Sequence, residues 1–130
     1  MRALELEPDN SVALIGLGRD RIAAGEPDNA LAYFEKAILV DSADPAPLRE
    51  AIEMLRTEGR TGEAEVKLEE LLELEPYDAG AALLLARLRV DRNAEKPHSI
   101  ALGRLAARFG KGRQRAAAIE LLKELGAPPI

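Results

Sequence analysis

Apolar residues fall along the chain in stripes of helical spacing: Leu14, Leu17, Gly18 and Ile22 form one stripe, and Ala30, Leu31, Phe34, Ala37 and Ile38 the next. Between them Gly25, Glu26, Pro27 and Asp28 supply a helix-ending glycine and an Asp able to cap the following helix. The same order returns 34 positions on: Leu14 recurs as Leu48 and Ala82, Leu17 as Ala51 and Leu85, and Phe34 as Leu68 and Leu102. Gly25 recurs as Gly59, Ala30 as Ala64, Ala3 as Ala37, and the phrase LELEP stands both at Leu4 to Pro8 and at Leu72 to Pro76. Each period therefore reads as a helical hairpin. Helices are expected near Asn10 to Ala24, Asp28 to Asp41, Pro45 to Glu58, Gly62 to Leu74, Ala79 to Asp91, Lys96 to Phe109 and Gly112 to Leu125. No strand pattern competes.

This repeat resembles the tetratricopeptide repeat, whose slots hold a bulky residue, Leu-Gly, a turn Gly, an Ala, an aromatic, a second Ala and a closing Pro. Leu14, Leu17, Gly18, Gly25, Ala30, Phe34 and Ala37 occupy them in the first full repeat, and Leu48, Ala51, Gly59, Ala64, Leu68, Leu71 and Pro76 in the second. The third departs: Asn93 replaces the turn Gly, His98 replaces the Ala of closest helix contact, and Gly110 stands where Pro would close the unit. A helix pair packed at about 8–10 Å leaves no room for a long side chain at closest approach, so His98 is expected to widen or shift this hairpin.

The resemblance implies an all-α fold, a right-handed α-solenoid of helix-turn-helix repeats. The expected divisions are a partial repeat over 1–10, repeats over 11–44, 45–78 and 79–112, and a capping helix with its tail over 113–130. Met1 to Pro8 matches the tail of a repeat whose first helix is missing, which points to excision from a longer array, or else to a vestigial cap.

Composition narrows the chemistry. The 130 residues are 47% hydrophobic and 32% charged but only 3% aromatic, so a core of Ala, Leu, Ile and Val is expected, which favours helices. With no Cys and a single His there is no disulfide, no thiolate nucleophile and no His-rich metal cluster. Gly110, Lys111 and Gly112 lack the Ser or Thr of a phosphate loop, and His98 beside Ser99 has no general-base partner, so neither an enzyme nor a cofactor site is expected. The carboxylates Glu63, Glu65, Glu69, Glu70 and Glu73 read as a largely solvated helix face rather than a metal site. No signal peptide or membrane span is apparent, and a cytoplasmic location is expected.

In the tetratricopeptide family the first helices of successive hairpins line a concave groove that holds peptides or partner segments. Carried onto this sequence, the groove-facing positions are Val12, Ile15, Arg19 and Ile22, then Ala46, Arg49, Glu53 and Arg56, then Gly80, Leu83, Arg87 and Val90. Four arginines against one glutamate imply a groove selective for an acidic partner or a C-terminal carboxylate, while Val12, Ile15, Leu83 and Val90 would suit an apolar segment or serve inter-repeat packing. One branch of the family clamps the acidic tails of heat-shock chaperones with Lys, Asn and Arg residues. Ile15, Arg19, Glu50, Gly80 and Leu84 stand where its Lys and Asn residues would fall, which disfavours that role.

Charge is divided unevenly: residues 1–86 hold 8 Lys plus Arg against 19 Asp plus Glu, and residues 87–130 hold 10 against 4. Arg104, Arg108, Lys111, Arg113 and Arg115 thus form a candidate basic patch for an acidic protein surface, an anionic lipid or the acidic part of a second copy, making self-association the alternative to groove binding. Nucleic acid is the weakest of these partners, because only Phe109 is interleaved to stack bases.

Overall fold

The computed structural model describes residues 10–91 and 96–127. Among these the chain forms seven helices and no strand: α1 Ser11–Ala23, α2 Pro27–Val40, α3 Ala46–Thr57, α4 Thr61–Leu74, α5 Ala79–Asp91, α6 Lys96–Phe109 and α7 Arg113–Glu124. The expectations placed on Ala3, the first LELEP phrase and Asn93 lie outside the described residues.

Local chemistry starts and stops these helices where the repeat pattern demands. Asn10 caps α1, its side-chain oxygen accepting from the Ala13 N–H at 2.8 Å. At the far end Gly25 adopts φ +77°, and the amides of Gly25 and Glu26 reach back to the carbonyls of Ile22 and Arg21 at 3.0 and 2.8 Å. That pair of bonds satisfies carbonyls the helix leaves open, and it needs a residue for which positive φ costs little. One period later Gly59 at φ +74° repeats the arrangement, with the Gly59 and Arg60 amides bonding to Arg56 and Leu55. The cap of α2 differs from expectation: Glu26, not Asp28, is the N-cap, Pro27 follows it at the start of the helix, and Asp28 sits within the first turn.

The chain divides into two packed units, Met1–Lys67 and Leu68–Ile130, the division falling inside α4. In the first unit α2 packs against α1 and α3, and α1 touches α3. Its core holds Leu14, Ala30, Phe34, Ala37, Leu48, Ala51, Leu55 and Ala64, all essentially without solvent contact. Phe34 is the largest of them, and burying such a side chain stabilises by about 1.5–3 kcal/mol. Surface ion pairs repeat along this unit as well. Asp28 meets Arg60 at 2.6 Å and Glu35 meets Lys67 at 2.6 Å, each pair joining groups 32 positions apart.

In the second unit α6 packs against α5 and α7, and α5 also touches α7, around Ala82, Leu85, Ala86, Ala106, Ala107, Leu121 and Leu122. Here the repeat slips by one residue. Ala30 and Ala64 are fully buried, yet His98, their equivalent by spacing, is exposed, and Ser99 takes the interior place at 1% exposure. Leu102 stays buried as its slot requires, and Gly103 joins it. The hairpin thus avoids a long side chain at closest approach by turning α6 to present a serine and a glycine. A Cβ on Gly103 would stand 3.0 Å from Leu122 Cδ2, which shows how closely α7 lies against this face. Gly110 replaces the closing proline for a similar reason: a Cβ there would meet the Ala106 carbonyl oxygen at 2.5 Å and the Cβ atoms of Gln114 and Ala79 at 3.1 and 3.2 Å.

Candidate functional site

The first helices of the hairpins, α1, α3 and α5, carry the expected binding positions. On α1, Val12 is 79% exposed and Ile22 is 41% exposed, but Ile15 is only 8% exposed and belongs to the core, a correction to its expected role as an apolar anchor. The physical reason is its place beside Leu14 and Gly18, on the stripe that α2 and α3 cover. On α3, Ala46, Arg49, Glu53 and Arg56 all face solvent. On α5, Gly80, Leu83, Arg87 and Val90 are half-buried.

The arginines of these faces hold carboxylates of the chain itself. Arg19 grips Glu50 through both ends of its guanidinium, Nε standing 3.1 Å from Oε1 and Nη2 reaching Oε2. This bond joins α1 to α3, and the Glu50 carboxylate raises the Arg19 pKa above its ordinary value, first by hydrogen bonding and then by charge. Arg56 reaches Glu53 at 3.3 Å within α3, and in the second unit Arg87 joins Glu124 of α7 at 3.0 Å. Arg49 is engaged by another group as well. The four-to-one excess of arginine read from the expected ladder omitted Glu50 and Glu124, which lie off the ladder in spacing but within reach in space.

Between α1 and α3, inside the first unit, a shallow depression of about 120 Å³ is lined by Ile22, Glu50, Glu53, Met54, Thr57 and Glu58. Met54 is buried and forms apolar floor with Ile22 at its side. Glu50 and Glu53 are matched by Arg19 and Arg56, which leaves Glu58 as the exposed charge at the rim without a cation partner among the described residues. The site can therefore seat a small apolar side chain with a cation beside it. Met54 and Glu58 were not among the expected site residues; their spacing of four, from the last turn of α3 to its C-cap, is the signal that would have placed them together.

The acidic run on α4 is less solvated than its sequence implied. Glu65 is buried, Glu63 binds Arg60, and Glu69 binds Arg89. Among the described residues no group of three His, Cys, Asp or Glu side chains could hold a metal, and no helix is long and apolar enough to cross a membrane.

No protein-family model and no curated protein matches the chain. Solved structures do. The Yersinia enterocolitica type III secretion chaperone SycD, in complex with a peptide of the translocator YopD, superposes with a TM-score of 0.74 at 12% identity over 94% of this chain and 96% of that one. The Sgt2 TPR domain of Aspergillus fumigatus gives a TM-score of 0.67 at 16% identity over 89% and 79% of the two chains. MamA gives 0.59 at 16% identity over 95% and 80%. Likeness at such identities is one of fold, and the chain has the all-helical hairpin fold of the tetratricopeptide-repeat domains.

Proposed function

We propose that the chain is a protein-interaction scaffold that holds a partner segment on its first-helix faces, in the concave groove of the repeat stack. The depression beside Ile22 and Met54 carries this reading, because it is a preformed apolar recess on the first-helix face, and SycD, which has a similar fold, is found in complex with a peptide. Its partner is a segment with one small apolar anchor and an adjoining Lys or Arg set toward Glu58. An acidic partner would have to displace Glu50, Glu53 and Glu124 from the arginines they hold, which weighs against selection by charge at Arg19, Arg56 and Arg87.

Selection from a display library of short random peptides on the intact chain tests the reading. Enriched peptides should share an apolar residue next to a cation and bind the Ile22→Glu variant at least about tenfold more weakly, with helical circular dichroism unchanged. Peptides that bind wild type and variant equally would remove the depression from the site.

A further inference from the structure

A second surface lies in the unit Leu68–Ile130, where the α4–α5 turn, the end of α6 and the α6–α7 turn meet. Tyr77 is 68% exposed and Phe109 42% exposed, yet their rings associate with centroids 4.7 Å apart and planes inclined by 38°. The chain has only two Tyr and two Phe, so half of its aromatic residues stand on this one patch. The Arg108 guanidinium lies over the Phe109 ring, 5.5 Å from its centroid.

Charge on the Phe109 side of the pair is of one sign, while Glu75 and Asp78, which flank Tyr77, have interactions of their own. No Asp or Glu occurs between Lys96 and Ile119, while Arg104, Arg108, Lys111 and Arg113 are exposed in that stretch. Arg104 and Arg108 are one turn apart on α6. Among the described side chains these four cations have no carboxylate partner, whereas Arg19, Arg21, Arg56, Arg60, Lys67, Arg87, Arg89 and Lys123 each hold one. Lys36 and Arg49 have interactions of their own, and Arg115 donates to the Ala107 carbonyl near the end of α6. A surface that pairs its cations nearly everywhere has left one cluster open.

Beneath the cluster the backbone is fixed. Gly110 brings the end of α6 within van der Waals distance of Ala79 at the start of α5 and Gln114 at the start of α7, and its amide bonds to the Ala106 carbonyl at 2.8 Å. Little ordering cost is then left for binding at this end.

We propose that this surface is a second docking site, for an acidic protein segment that lays an apolar or aromatic side chain against Tyr77 and Phe109 and its carboxylates against Arg104, Arg108, Lys111 and Arg113. Buried aromatics flanked by arginine are the usual anchors of protein interfaces, and unpaired cations supply the charge complementarity. A nucleic acid is a poorer fit, since Tyr77 and Phe109 contact each other and make a single platform, whereas a strand is held by a series of rings on which successive bases stack. An anionic bilayer is poorer too, because the apolar side of α6 is spent on the core and cannot enter a membrane.

The probe is a fluorescein-labelled synthetic peptide of glutamates with one central Phe, titrated against the intact chain beside an all-glutamate peptide, phosphatidylserine vesicles and oligothymidylate. The Phe peptide should bind in the micromolar range at about 50 mM salt and weaken at about 500 mM. Arg108→Glu with Lys111→Glu should weaken it at least about tenfold, while Tyr77→Ala with Phe109→Ala should abolish its advantage over the all-glutamate peptide. The Ile22→Glu variant should bind it as wild type does, which separates this site from the first-helix recess. Absence of binding, equal binding by the charge-reversed variant, or preference for vesicles or oligothymidylate would overturn the proposal. So would salt-sensitive self-association in sedimentation that the charge reversal abolishes, because the occupant would then be a second copy.

Discussion

Gly18 of α1 lies so close to the Phe34 ring of α2 that a Cβ on the glycine would stand 2.8 Å from Cδ1 and 2.9 Å from Cζ. The ring is fully buried and has nowhere to retreat. Gly16, one half-turn away on the same helix, has open space where its Cβ would project. Alanine in a helix interior is favoured over glycine by about 0.5–1 kcal/mol, so Gly16→Ala should stabilise by about that amount. Gly18→Ala gains the same backbone preference but overpacks the core, and should lose about 1–2 kcal/mol net. Urea unfolding of the two variants should therefore give midpoints on opposite sides of wild type, and Phe34→Leu should relieve part of the Gly18→Ala loss.

The Arg60 guanidinium bridges two carboxylates at the α3–α4 turn: Nε and Nη2 donate to the two oxygens of Glu63 at 2.7 and 2.9 Å, and Nη1 donates to Asp28 at 2.6 Å. These bonds hold the Glu63 carboxyl below the ordinary glutamate value, chiefly through its hydrogen bonds to Arg60. Glu26 is lowered likewise, first by its bond from Asn29 and then by Arg21. A depressed folded pKa stabilises above the unfolded value and is lost as pH falls through the folded one, so both groups make the chain less stable on acidification. Carbon-13 titration should find Glu63 below 4.5 in wild type and shifted upward in Arg60→Gln. Exposed ion pairs contribute little to stability, so the urea midpoint of Arg60→Gln near neutral pH should lie close to that of wild type.

The hairpins were legible because their rules are local. Leu14, Phe34, Leu48 and Leu68 recur at one spacing, Gly25 and Gly59 close first helices with the same two back-bonds, and both signals survive without any knowledge of neighbours. What failed to show was contact between residues far apart in sequence. The pairing of Arg19 with Glu50 and of Arg87 with Glu124 turns an apparently basic ladder into a compensated one, and neither carboxylate lies on the groove register. Ile15 failed differently. Its spacing fits both the core stripe and the groove stripe, and packing against neighbouring helices decided for the core. The patch around Phe109 was half legible: its cations form a run in the sequence, but Tyr77 joins them only through the fold.

The one-residue slip at the start of α6 makes a direct test of that third repeat. Ser99 faces the interior and His98 faces solvent, although spacing assigns the interior slot to position 98. His98→Leu should therefore change stability by less than about 0.5 kcal/mol, whereas Ser99→Leu should cost about 1–3 kcal/mol by forcing a larger side chain between packed helices. Thermal melting of both variants distinguishes the slipped register from the unslipped one, in which the two effects would be exchanged.

Gly110 and Gly112 flank the α6–α7 turn and are required for different reasons, so alanine should hurt at each in a different way. At Gly112 the backbone stands at φ +53° and ψ −122°, outside the left-handed helical well and in a region that glycine alone adopts readily, with open space around a would-be Cβ, so the cost is one of backbone strain, about 1–3 kcal/mol. Asparagine tolerates positive φ only where ψ is positive too, so it should recover none of that loss at Gly112. At Gly110 φ is ordinary, but the new methyl would meet the Ala106 carbonyl oxygen, a backbone atom that cannot rotate aside. Gly110→Ala should then cost about 2–3 kcal/mol, with no rescue by asparagine. Since about 1 kcal/mol moves the melting temperature of a domain this size by roughly 3–6 °C, calorimetry should find both variants melting several degrees below wild type. Because the same glycine sets the junction under Tyr77 and Phe109, Gly110→Ala should also shift the aromatic ring resonances of that pair, which Gly112→Asn should leave in place.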